Sequence, residues 1–205
     1  MEIPGCYWQN KSMLHKSGLE ILSFKTPKDW EKWLSKNHGS SKGLWLKIFK
    51  KDSGQSSVTY AEALDGALCY GWIDGQKDRF DDSAWLQRFS PRRPQSPWSK
   101  INTGHVKRLM KEGRMKPAGL KQVEAAKKDG RWGKAAPSPS AAEYPADFLK
   151  EVGKDKKAKA FLETLDRTNR YSIIYRLHGA KKPETRQKRL RQFVEILSKG
   201  QKLHP

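Results

Sequence analysis

The feature that most constrains this chain is a series of short amphipathic segments in its first 90 residues, each with its own start and stop signals. The clearest is TPKDWEKWLSKNHG, residues 26–39. Thr26 is placed to cap the first turn, Pro27 suits the first helical position, and Asp29 sits where the helix dipole favours an acid. Trp30, Trp33 and Leu34 then form one apolar stripe at i, i+3, i+4, and Gly39 marks a stop. Before it, LEILSF (19–24) reads as a short strand. After it, GLWLKIFKK alternates Leu44, Leu46 and Ile48 against Trp45, Lys47 and Phe49, the pattern of a strand. VTYAEALDGALCYG follows as a helix, with Thr59 and Glu62 at capping-box spacing, Leu64, Ala67 and Leu68 on one side and Gly71 at the end. WIDGQKDRF and AWLQRFS, separated by DDS, read as an antiparallel hairpin. The order β-α-β-α-β-β predicts an α+β fold, a mainly antiparallel sheet with helices on one face.

The rest of the chain reads as helical. SKINTGHVKRLMKEG places Val106, Leu109 and Met110 on one stripe, and KPAGLKQVEAAKKDG places Leu120, Val123 and Ala126 inward. KAAPSPSAAEYPAD, residues 134–147, has the composition of a linker. Beyond it, Ala158, Phe161, Leu162 and Leu165 predict one helix. Tyr171, Ile174 and Tyr175 mark a second, and Leu190, Phe193, Val194 and Leu197 a third. The expected organisation is a flexible leader (1–18), an α+β domain (19–133), the linker (134–147), a basic helical region (148–200) and a tail (201–205).

Charge sharpens this division. The chain carries a net +20. Residues 88–134 hold 14 Lys and Arg against 3 Asp and Glu, and residues 150–205 hold 16 against 6, so the first 87 residues contribute almost none of the excess. Such a field attracts anionic partners, phosphate polymers among them. Lys107, Arg108, Lys111, Arg186 and Arg189, off the apolar stripes of their helices, are the candidate nucleic-acid contacts. Two cysteines, Cys6 and Cys69, make no disulfide framework. With no apolar run of membrane-spanning length and no basic-then-apolar leader, the expectation is a cytoplasmic protein.

Zinc and thiol chemistry find no signature: there is no CxxC or HExxH, the five histidines are scattered, and Cys69 sits between Leu68 and Tyr70 on a helix. No cofactor is expected. The dense segment is FSPRRPQSPWSKIN, Phe89–Asn102. Arg88, Arg92 and Arg93 precede a helix start at Ser96, Trp98, Ser99 and Asn102, where free backbone N–H groups and guanidinium forks suit an anion. Trp72, Asp74 and Arg114 complete the candidate ligand-binding set. The structural alternative pairs Arg92 or Arg93 with Asp74 or Asp78 and buries Trp98 beneath the sheet. A third reading makes Asp74 and the arginines the centre of an enzyme.

The stretches ALCYGWIDG, RFSPRRPQSPWSKIN, EGRMKPAGLKQVEAAKKDGRW and AKKPETRQKRLRQFVEIL, in that order, resemble the YdeI/OmpD-associated family, also called bacteriocin-protection proteins, over roughly Phe24–Lys199. The resemblance implies an N-terminal α+β domain and a helical region ending in the AKKPETR helix. The family name refers to protection against toxic peptides and to an envelope partner, which makes a protein partner a further expectation. No catalytic residue comes with it. The shared motif positions, Gly71, Trp72, Ile73, Asp74, Gly75, Arg88, Pro91, Arg92, Ser96, Trp98, Ser99, Asn102, Gly113, Arg114 and Met115, suggest one pocket around a helix start. The leading expectation is a non-enzymatic protein that binds an anionic small molecule, phosphate group or partner there.

Overall fold

The computed structural model describes residues 13–204. The chain forms two compact units: residues up to Pro97 with Asn102–Lys134, and Trp98–Ile101 with the residues from Ala135 onward.

The first unit contains strands β1 (Met13–Leu14), β2 (Glu20–Leu22), β3 (Leu44–Phe49), β4 (Trp72–Arg79) and β5 (Ala84–Pro91), in the order β1-β2-β3-β5-β4. Only β2 and β3 are parallel, joined by helix α1 (Pro27–Asn37), so the α+β sheet is mixed and mainly antiparallel. Of the expected leader, residues 1–12, Cys6 included, lie outside the described residues. Met13–Leu14 instead adds an edge strand, and His15 lies against the Trp45 ring at 4.2 Å.

Helix α1 begins as its sequence dictates: the Thr26 hydroxyl accepts the Asp29 N–H and the Asp29 carboxylate accepts the Thr26 N–H. Helix α2 (Tyr60–Cys69) repeats the device with Thr59 and Glu62. Both helices cover the same sheet face. Trp30 and Trp33 of α1 meet Trp72 and Phe89 of the sheet, with Trp30 fully buried and its indole N–H donated to the Ala63 carbonyl at 3.0 Å. Burying rings of this size supplies a large share of a small core, and truncating one costs about 3–5 kcal/mol.

Helix α4 (Pro117–Lys128) packs on α2 through missing side chains. A Cβ at Gly119 would lie 2.3 Å from the Cys69 carbonyl oxygen, and one at Gly71, where φ is +76°, would lie 2.9 Å from that of Ala118. The Lys116 N–H donates to the same Cys69 carbonyl. On helix α3 (Lys100–Lys111) the buried stripe is Thr103, Val106 and Leu109, spaced by three. That narrow stripe leaves Met110, expected inside, exposed. Val123 and Ala126 of α4 are buried and Leu120 is half-buried.

The second unit is helical: α5 (Ala146–Val152), α6 (Lys156–Glu163), α7 (Arg167–His178) and α8 (Pro183–Ser198), with α8 against the other three. Its core gathers Phe148, Leu162, Ile173, Leu177, Leu190, Phe193 and Leu197. On α7 the inward residues are Asn169, Ile173, Ile174 and Leu177, not Tyr171 and Tyr175, because an asparagine interrupts the apolar pattern. That asparagine is satisfied: its side-chain oxygen accepts the N–H groups of Leu203 and His204 at 2.9 Å, and its amide donates to Asp166 and to the His204 carbonyl. Residues 203–204 of the expected tail are therefore pinned to α7. In the expected linker, Ala136 exchanges backbone bonds with Trp98 and Lys100, and α5 starts at Ala146.

Arg186, at the start of α8, holds this unit together. Its guanidinium donates to both Asp147 carboxylate oxygens, at 2.6 and 2.7 Å, and to the Leu177 carbonyl at 2.9 Å. One side chain thus joins the start of α5, the end of α7 and the start of α8.

Two predictions follow from these contacts. Gly119→Ala lowers stability by at least ~2 kcal/mol in urea unfolding, because a methyl group would overlap backbone and not a flexible side chain. Arg186 holds the Asp147 carboxyl below the usual carboxylate range by hydrogen bonding to it. A depressed carboxyl stabilises the fold above its unfolded pKa of about 3.9 and loses that contribution as pH falls through its lower folded value. Arg186→Ala therefore lowers stability by ~1 kcal/mol at neutral pH. The gap between variant and parent closes in acid, as measured by urea midpoints at both pH values.

Candidate functional site

The β4–β5 hairpin is irregular where the candidate arginines begin. Asp74 pairs with Phe89, but Lys77 pairs with Gln87, so Gly75 and Gln76 together oppose Arg88. This is a β-bulge, which releases ladder carbonyls. Gln87, buried at 2% exposure, takes them up: its side-chain amide donates to the Gly75 carbonyl at 2.9 Å and the Gln76 carbonyl at 3.2 Å. The Arg88 stem lies over Gly75, where an added Cβ would sit 3.7 Å from the Arg88 Cβ.

Strand alternation fixes which way each candidate faces. Phe89 meets Trp30 on the helix-covered face, so its neighbour Arg88, directly across from Trp45, belongs to the opposite face. Trp72 and Asp74 point to the helix side. Trp72 enters the aromatic core and donates its indole N–H to the His38 carbonyl. Asp74 accepts the Tyr60 hydroxyl at 2.7 Å; burial of that phenol, and then the carboxylate beside it, push its pKa well above its ordinary value.

The arginines separate by what they hold. Arg92 is buried and donates to the Pro97 carbonyl at 2.7 Å, which ties the turn that follows it. Arg131, which sequence reasoning missed, is also buried; it bonds Asp129 at 2.7 Å and the Ser96 carbonyl at 2.8 Å. Arg114 pairs with Glu31 at 3.0 Å. Arg93 is exposed. Arg88 makes no ion pair or hydrogen bond with any described residue, and its buried Nε has no acceptor. Asp78, the acid expected to meet an arginine, is held by Lys16 at 3.0 Å and His15 at 3.1 Å. Their hydrogen bonds, Lys16 foremost, bring its carboxyl down to about 2. Trp98 and Ser99 fall in the second unit, where the Trp98 carbonyl accepts the Ala136 N–H. Asn102 lies in the first turn of α3.

A second polar cluster was not foreseen. Asp65 lies among the buried residues of α2 and accepts from the Arg108 guanidinium at 2.6 Å, with its other oxygen 2.8 Å from His105 Nδ1. Arg108 also bonds Glu112, and Arg114 reaches within 3.9 Å of Asp65. Burial pushes the Asp65 carboxyl up, but the hydrogen bonds from Arg108 and His105 outweigh it and hold the group below its ordinary value. The sequence signal was an acid amid the apolar residues of α2. Nearby Cys69 is pushed up to about 11 by burial, away from the thiolate a nucleophile needs.

Among the nucleic-acid candidates, Lys107 and Lys111 are exposed. Arg108 serves Asp65 and Glu112, Arg186 serves Asp147, and Arg189 donates to the Arg176 carbonyl. Among the described residues no group of His, Cys, Asp or Glu could hold a metal, and no helix is long and apolar enough to cross a membrane.

Fold and site together define an α+β protein with a helical second unit and several arginines built into its frame. Comparison with protein families places that second part: residues 141–200 match the family described as bacteriocin-protection, YdeI or OmpD-associated, which bears out the resemblance read from the motifs. Residues 22–122 match a domain of unknown function (DUF8412). No curated protein and no solved structure matches the chain.

Asp65→Asn should cost about 1–3 kcal/mol in denaturant unfolding, since it strips the charge-assisted acceptor from Arg108 and His105. A loss confined to ~0.3 kcal/mol would make the cluster a solvated surface pair.

Proposed function

We propose that the protein is a non-enzymatic binder of an anionic group, held by Arg88 on the sheet face opposite α1 and α2. The observation that carries this reading is the contrast among neighbouring arginines. Arg92, Arg114 and Arg131 each have protein acceptors, whereas Arg88 offers a guanidinium fork with none among the described residues. A guanidinium presents paired donors that match a carboxylate or phosphate. Its orientation is set in advance: the bulge lays its stem over Gly75, and Trp45 stands directly across the strand pair. The ligand class is therefore a small molecule or chain terminus bearing phosphate, sulfate or carboxylate. The raised Cys69 thiol is not poised as a nucleophile, and the Asp65 carboxylate is already shared by two donors.

The test follows the Arg88 side-chain Nε–H resonance by NMR during titration with inorganic phosphate and with acetate. The Arg88 signal should move with saturation, as should the backbone N–H of Gly75 beneath its stem, and in Arg88→Ala the Gly75 signal should stay fixed. The same substitution should leave stability unchanged or raise it by up to ~1 kcal/mol, since a buried donor without an acceptor is itself unfavourable. A resonance that stays fixed while others shift would place the anion elsewhere.

A further inference from the structure

We infer that the second unit docks an acidic peptide segment carrying one large apolar side chain, in two grooves that meet at Arg170. The first groove, of about 510 Å³, has Leu149, Val152 and Leu162 among its lining residues, with Lys159 and Arg170 also on its walls. The second, of about 500 Å³, brings Leu165 and Ile174 together with Arg167 and the same Arg170. Leu149 is 48% exposed and gives the first groove an accessible apolar wall beside Lys159 and Arg170.

The chemistry of the walls selects the occupant. Lys159, Arg167 and Arg170 all flank the grooves, Glu163 lines the first, and none of the three cations has a carboxylate within ion-pair distance among the described residues. In this unit Arg186, Lys154, Lys199 and Lys202 are paired, while other cations that no described carboxylate pairs, Lys150 and Arg191 among them, line neither groove. Arg170 lies 5.5 Å from the centre of the Tyr144 ring, a cation–π position that keeps its charge presented between the grooves. Either volume accommodates one large side chain and the backbone beside it, so adjoining grooves suit an extended segment and not an isolated ion. The apolar wall of the first groove separates this surface from one built for phosphate tracking, which needs cations and stacking rings but no aliphatic pocket. Acidic residues would meet Arg167, Arg170 and Lys159, and the apolar side chain would settle against Leu149 and Leu162.

The full chain is tested against an array of short peptides that place Asp or Glu and one Leu, Phe or Trp at every spacing. The best binder is then measured by fluorescence anisotropy against Arg170→Glu, Leu149→Ser and Arg88→Ala. Arg170→Glu and Leu149→Ser should each weaken binding by roughly tenfold or more, and each by more than Arg88→Ala does. Far-ultraviolet circular dichroism checks that the variants fold. The inference is overturned if no peptide binds at physiological salt. It is also overturned if Leu149→Ser leaves affinity intact, or if an oligonucleotide of equal charge binds as well. Loss of binding in Arg88→Ala alone would move the site to the sheet of the first unit.

Discussion

At Gly119 the backbone of α4 approaches the Cys69 carbonyl more closely than any side chain would permit, and much of the first unit is arranged around that contact. It sets how near α4 can come to the end of α2, and the Lys116 N–H, bonded to the same carbonyl, anchors the start of α4 there. Gly71 completes the seam: its positive φ turns the chain out of α2 into β4, and its own carbonyl accepts the Arg92 N–H. The arginine at the head of the dense segment is thus bound to the turn that begins the hairpin. Steric exclusion at two glycines, more than any attractive pair, fixes where the later residues stand.

The elements of the first unit were legible because each carries its own chemistry. Thr26 and Asp29, and Thr59 and Glu62, close capping boxes in the structure as their spacing implied. The alternation from Leu44 to Phe49 placed the two faces of β3 correctly. What sequence could not supply was anything decided at a distance. Asn169 looks like a break in an apolar stripe until the amides of Leu203 and His204 arrive to satisfy it. Met110 looks apolar and inward until the neighbouring packing narrows the buried stripe to Val106 and Leu109.

The candidate site was legible in part for the same reason. Arginines near a helix start are a genuine anion signal, but residue type does not reveal which of them the fold has already employed. Arg92 and Arg131 bond backbone carbonyls of the very turn that drew attention to them, and Arg114 meets Glu31, more than eighty positions earlier in the chain. In the second unit the motif arginine Arg186 proves to be a clamp between helices. Net charge therefore does not tell which of the cations remain for partners. The excess that counts lies in side chains such as Lys159, Arg167 and Arg170, which no described carboxylate neutralises.

The bulge at Gly75 and Gln76 acts on β4 as a frameshift acts on a message. Before it, Trp72 and Asp74 address the helices; after it, Lys77 lies over Trp85 on that same side, although the parity of its number has changed. Straightening the strand there with both residues kept would leave every later side chain spelled correctly and read from the wrong side. Asp78 would turn from His15 and Lys16 toward the helices, and Lys77 would take its place.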